Sequence, residues 1–112
     1  MRDNDVQIRE LVRQRVRKRE SMMFHDFSGV DFHGMKLDKA DFSQCKLAGA
    51  RFSGASLRRA VFRYADLRGA VFSGADMTGA YLVGSKVDGA VFDRCKLNGA
   101  HLPVDFKQRI KA

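Results

Sequence analysis

Chemistry needs reactive side chains held close together, and this chain offers few of them. Its imidazoles are His25, His33 and His101, and its thiols are Cys45 and Cys95. None of these stands at the short spacing with which Cys and His clasp a metal ion. No Ser/His/Asp arrangement can be assembled for nucleophilic catalysis. Gly29, Gly34 and Lys36 outline the start of a phosphate loop, but the Gly-Lys-Ser/Thr ending is missing. The expectation is therefore no catalytic residue, no cofactor and no metal, and a protein that is not an enzyme.

The elements that carry these residues are set by composition and period. The chain has 112 residues, 45% of them hydrophobic, with ten Gly, one Pro and a net charge of +8. That length suits one domain with one core. No apolar run is long enough to cross a membrane. The N-terminus MRDNDVQIRE has no apolar signal core. These features predict a cytoplasmic protein with reduced thiols and no membrane partner.

Gly, Phe and Ala all recur in one five-residue frame. From His25 to Val104 the chain divides into sixteen such units. The central residue is apolar in every unit, from Phe27 through Leu102. Two positions earlier the residue is small in thirteen units, and two positions later it is Gly in ten. A helix would smear this pattern around its surface, and a flat strand would alternate it between faces. A chain that turns a corner every five residues points both the large and the small residue inward. Four corners close a coil of twenty residues, and stacked coils pair at about 4.8 Å. Four coils then make a rod roughly 19 Å long. Within the rod, Phe32, Phe52, Phe72 and Phe92 form one core column and Leu37, Leu57, Met77 and Leu97 another. Cys45 and Cys95 occupy small inward slots about 12 Å apart along the axis, beyond disulfide reach.

The units Ala40-Asp41-Phe42, Ala65-Asp66-Leu67 and Ala75-Asp76-Met77 resemble the pentapeptide-repeat family, whose consensus is A-(D/N)-L-x-x. The resemblance implies an all-β solenoid, a right-handed quadrilateral β-helix, here of four coils. Its handedness comes from the resemblance alone. Three segments follow: 1–24, a basic helical cap or arm; 25–104, the repeat; and 105–112, a tail. Ile8, Leu11, Val12 and Val16 recur at helical spacing, so the first segment is expected as an N-terminal α-helical cap joined by Met22, Met23 and Phe24.

Function must lie on outward residues. Asp26, Lys46, Asp66 and Lys86 form an alternating charge ladder, and Asp38 and Arg58 stack similarly. Both groups read as structural. Val61, Tyr64, Tyr81 and Val83, with Val71 and Val91, are the candidate protein interface. Arg13, Arg15, Arg17, Lys18 and Arg19 are a candidate basic arm for nucleic acid or an acidic protein. Arg51, Arg58, Arg59, Arg63 and Arg68 are expected to circle the rod as a girdle. The leading expectation is a non-enzymatic protein-binding or scaffold protein, a small subunit of a larger assembly. One alternative is a basic nucleic-acid-associated module. Relatives that protect DNA gyrase imply a further alternative, a DNA-mimic topoisomerase modulator, and a homodimer through the C-terminal end. A mimic needs dense negative charge, whereas residues 25–104 carry eleven basic and eight acidic side chains.

Overall fold

The computed structural model of the protein describes residues 2–111. Helix α1 (Asp3–Arg17) lies across one end of a four-sided coil, and the short helix α2 (Phe106–Arg109) lies at the other. Between them, parallel bridges join residues twenty apart, from Asp26 with Lys46 to Tyr81 with His101. The pairing occurs as single bridges because a corner every five residues leaves only a short extended stretch on each side. The four walls take their names here from the central residues of the second coil: Phe42, Leu47, Phe52 and Leu57, in order around the rod.

Each unit uses its backbone in one way. In the unit Ala60–Tyr64, Val61 N–H donates to Ala40 of the coil before, and Phe62 N–H donates to Tyr81 of the coil after. Tyr64 N–H donates to Val83, and Ala65 N–H closes the corner on the carbonyl of Phe62. The third corner residue has positive φ, 66–75° at the ten glycines. That combination defines a type II turn and accounts for the glycine period. The N–H of the fourth residue in a unit is left without a backbone acceptor, while its carbonyl accepts from the coil before, as Arg63 does from Gln44 N–H. An aspartate two positions earlier fills this gap: Asp41 accepts from Ser43 N–H, Asp66 from Arg68 N–H and Asp76 from Thr78 N–H. This is the physical reason for Asp before the central residue.

The central residues fill the axis. Phe32, Phe52, Phe72 and Phe92 stack with ring centroids 5.0, 5.0 and 4.9 Å apart. Phe42 and Phe62 stack at 5.3 Å from the opposite wall. The two columns meet edge to face, as at Phe52 and Phe62, 5.7 Å apart at 84°. Leu97 is only half-buried and Leu102 is 38% exposed, because the tail covers the other two walls of the last coil.

The ends depart from the sequence reading. α1 stops at Arg17 rather than running to Phe24. Arg19 takes a left-handed φ of 58°, with Arg19 N–H on Val16 and Glu20 N–H on Arg15, which is the Schellman arrangement. Met22 then takes a central slot of its own. It is fully buried, its N–H donates to Asp41, and Phe24 supplies the positive φ at the corner. The coil thus begins one unit before the first unit legible in the sequence. Val12 is buried and Ile8 and Val16 pack on the core, but Leu11 faces out.

Two side chains of α1 replace the missing preceding coil on the Phe52 wall. Arg9 donates to the carbonyls of Asp31 and His33, both at 3.1 Å. Asp5, itself held by Arg2, accepts from Asp31 N–H at 3.4 Å. At the far end the tail re-enters the ladder. Gly89 N–H donates to Arg109, and Lys111 pairs with Val91. Phe106 packs edge-on to Phe92 at 4.9 Å.

The aspartates give a pH prediction. Hydrogen bonds from Ser28, Arg68 and Thr78 hold the Asp26, Asp66 and Asp76 carboxyls below the usual range. A carboxyl lowered by folding stabilises the fold above its unfolded pKa, near 4, and this contribution is lost as pH falls through the folded value. Urea midpoints are expected to stay level from pH 7 to about 5 and to fall below about 4. A midpoint that rises on acidification contradicts this.

Candidate functional site

The reactive side chains are scattered. His25 is half-buried against Phe27, with Nδ1 3.1 Å from the Met22 carbonyl. His33 pairs with Asp31 on the Phe52 wall at 3.0 Å. His101 lies on the Phe42 wall, stacked on Tyr81 at 4.6 Å. Among the described residues no group of His, Cys, Asp or Glu is placed to hold a metal ion. Cys45 and Cys95 are free thiols on opposite walls. Cys45 Sγ donates to the Met22 carbonyl at 2.8 Å. Burial pushes its thiol up to about 11. Burial, then the carboxylates of Asp76 and Asp93, push Cys95 to about 12.

The six interface candidates divide between two walls. Val61, Tyr81 and Val83 lie on the Phe42 wall, with Tyr64 at its edge. Val71 and Val91 pair with each other on the opposite wall, half-buried between Arg51 and Lys111. They cannot share one flat surface with the first four. The Phe42 wall is richer than the sequence showed. Among the described residues, eight large apolar side chains are exposed. Six of them (Met23, Phe24, Tyr64, Val83, Leu102 and Val104) lie on this wall, its edge or its C-terminal margin. Phe24 is 71% exposed and Tyr64 65%. Tyr64 has φ 60°, and one edge of its ring lies against Gly84, where an added Cβ would come within 2.4 Å of it. Glycine at 84 is therefore what lets this ring rest on the wall. Arg63 sits over the Tyr81 ring at 4.7 Å. The missed signal was Phe24, whose unit begins with Glu20 and lacks the small residue of the pattern.

Arg51, Arg58, Arg59, Arg63 and Arg68 fall on all four walls in turn, so they circle the rod, but the net charge sorts by wall. Three walls are balanced in residues 25–104. Asp41 faces Arg63 on one. Asp26, Asp66 and Asp88 match Lys46, Arg68 and Lys86 on the next. Asp31 and Asp93 match Arg51 and Arg94 on the third. The Leu57 wall carries Lys36, Lys39, Arg58, Arg59 and Lys96 against Asp38 and Asp76. All the net charge of the repeat is there. The expected Asp38–Arg58 stack is also rearranged. Asp38 accepts from the Ser56 hydroxyl and from the Arg58 N–H, while the Arg58 guanidinium pairs with Asp76 at 3.1 Å. The basic arm is partly engaged. Arg13 pairs with Glu10 at 2.6 Å and Arg15 donates to the Ser21 carbonyl, leaving Arg17, Lys18 and Arg19 exposed.

This architecture defines a four-sided parallel solenoid with differentiated walls. The family model of pentapeptide repeats matches residues 26–63, 55–94 and 75–103, in eight copies. The chain belongs to the pentapeptide-repeat family, and its solenoid is a right-handed quadrilateral β-helix. Solved structures similar to it include a pentapeptide repeat protein of the Arabidopsis thaliana thylakoid lumen (34% identity, TM-score 0.43, covering 68% of this chain and 60% of that one). Another is a pentapeptide repeat protein of Nostoc PCC 7120 (28% identity, TM-score 0.43, covering 83% of this chain and 80% of that one). A third is HetL of the same cyanobacterium, described as involved in heterocyst differentiation regulation (25% identity, TM-score 0.33, covering 79% of this chain and 44% of that one). The chain thus spans 60% of the length of the Arabidopsis protein. No curated protein matches the chain. Among the described residues no helix is long and apolar enough to cross a membrane.

The thiols give the prediction here. A raised thiol pKa leaves little thiolate at pH 8. Native protein is expected to react with a thiol reagent such as DTNB far more slowly than protein in guanidinium, where both thiols titrate promptly. Cys95 is half-buried rather than buried as its inward slot implied, so the test is read on Cys45, whose fast reaction in the native protein contradicts its burial.

Proposed function

We propose that the protein is a non-enzymatic docking module, a scaffold component whose Phe42 wall binds another protein. The observation that carries this reading is the gathering of exposed Met23, Phe24, Tyr64, Val83, Leu102 and Val104 along one wall. Exposed apolar side chains scattered singly need no explanation, but six on one side of a small rod form a patch. Rigid coils suit this role, since a preformed wall loses little conformational entropy on binding. α1 serves as the cap of the N-terminal end, its Arg9 and Asp5 occupying edge groups that would otherwise pair with another chain. At the other end, Leu97, Leu102 and Val104 are the contact for a second copy in an end-to-end dimer.

Affinity capture from the source cell, with and without nuclease, tests the wall. Tyr64→Asp combined with Val83→Asp is expected to reduce recovery of bound protein by about tenfold or more. Both side chains are exposed, so the fold should survive, and circular dichroism checks that it does. Undiminished recovery by the double variant contradicts the reading.

A further inference from the structure

The charge excess of the Leu57 wall adjoins the apolar Phe42 wall along one corner, and that corner is hollow. Its column reads Lys39, Arg59, Gly79, Gly99 down the four coils. Long cationic side chains stand over the first two coils, and bare backbone lies under the last two. The stem of Arg59 lies over Gly79, 3.3 Å from where a Cβ there would sit. The result is a groove of about 370 Å³ running from Asp38 and Lys39 past Arg59 to Asn98 and Gly99. A second hollow of about 250 Å³ shares Asp38 and Lys39 with it and continues to Val16 and Arg19 at the exit of α1. Arg19, Lys36, Lys39, Arg59 and Lys96 have no ion-pair partner among the described residues, whereas Arg58 is held by Asp76.

We propose that this corner groove binds an extended acidic segment of the protein partner that covers the Phe42 wall. The proposal rests on the docking reading of that wall and adds the chemistry of what docks there. Charge complementarity carries it: Lys39 and Arg59 in the groove and Arg19 in the adjoining hollow are without ion-pair partners among the described residues, and the net charge of the repeat is concentrated beside them. Two observations favour a polypeptide over a nucleic acid. Glu20, Asp38 and Asp41 line the same hollows, and a phosphodiester with a charge at every nucleotide would meet them. A polypeptide can place acidic residues opposite Arg19, Lys39 and Arg59 and neutral ones opposite the carboxylates. The nearest aromatic face is also occupied, since Tyr81 is stacked on His101 and covered by Arg63.

The test uses the full chain and three labelled probes in fluorescence anisotropy at two salt concentrations. The first is a peptide of about eight residues alternating Glu and Leu, long enough at about 3.3 Å per residue to run the four coils. The second replaces each Glu with Gln. The third is a single-stranded oligo(U) of matching length. The acidic peptide is expected to bind and to weaken with salt, and the Gln peptide to bind far less. The variant Lys39→Glu with Arg59→Glu should bind the acidic peptide about tenfold more weakly. Both changed side chains are exposed, and an unchanged urea midpoint confirms that the variant is folded. No binding of the acidic peptide, or equal binding by the variant, overturns the proposal. Tighter binding of oligo(U) that depends on Lys39 and Arg59 overturns it in favour of nucleic acid. These outcomes are separate from the wall: if the peptide fails while the Tyr64 and Val83 variant still loses its partner, the groove alone is withdrawn.

Discussion

Every unit of this protein must hand its backbone groups to the coil before and the coil after. That ladder is the constraint from which the rest of the structure follows. It repeats at twenty residues, so each residue lies beneath one of like position. Stacking like over like puts Phe on Phe in the core and forces a positive φ at each corner. Four of the five amides in a central unit are bonded by the ladder or by the corner. The remaining amide explains the aspartates. Little in the interior is free to vary, and differences between copies are confined to outward positions.

A stacked ladder must also end. On the Phe52 wall of the first coil, Arg9 and Asp5 make the bonds that another coil would have made. At the other end the tail shifts frame, buries Phe106 and regains the register at Lys111. The tail serves two walls, and the other two leave Leu97 half-covered and Leu102 exposed. Among the described residues, most of the exposed large apolar side chains are therefore tied to the Phe42 wall, where the first unit and the last both fall. The outward residues Tyr64 and Val83 join these two margins into one surface.

Much of this was legible in the residues alone. The period, the inward slots and the parallel pairing of Asp26 with Lys46 follow from counting in fives and twenties. Two things were not. The unit of Met22 breaks the pattern at its small and outward positions, and only its burial and its bond to Asp41 reveal it. The other is the net charge of each wall, which the circling order of Arg51, Arg58, Arg59, Arg63 and Arg68 along the chain conceals. Stacking by twenties instead sets Arg51, Arg63 and Arg68 on walls with matching acids and leaves Arg58 and Arg59 on the basic one. Side-chain choices such as Arg58 reaching Asp76 rather than Asp38 depend on rotamers that spacing does not specify.

The ladder itself is most directly tested by amide hydrogen exchange, resolved residue by residue by NMR over residues 46–82. Four consecutive amides in each unit should be protected and the next should exchange quickly. The fast amides should fall at Ala48, Ser53, Arg63 and Ser73, which have neither backbone nor aspartate acceptors. The matching amides of Arg58, Arg68 and Thr78 should be intermediate, since only side chains hold them. A five-residue rhythm of protection is the predicted result. Alternate protection along continuous strands, or no rhythm at all, would contradict the account.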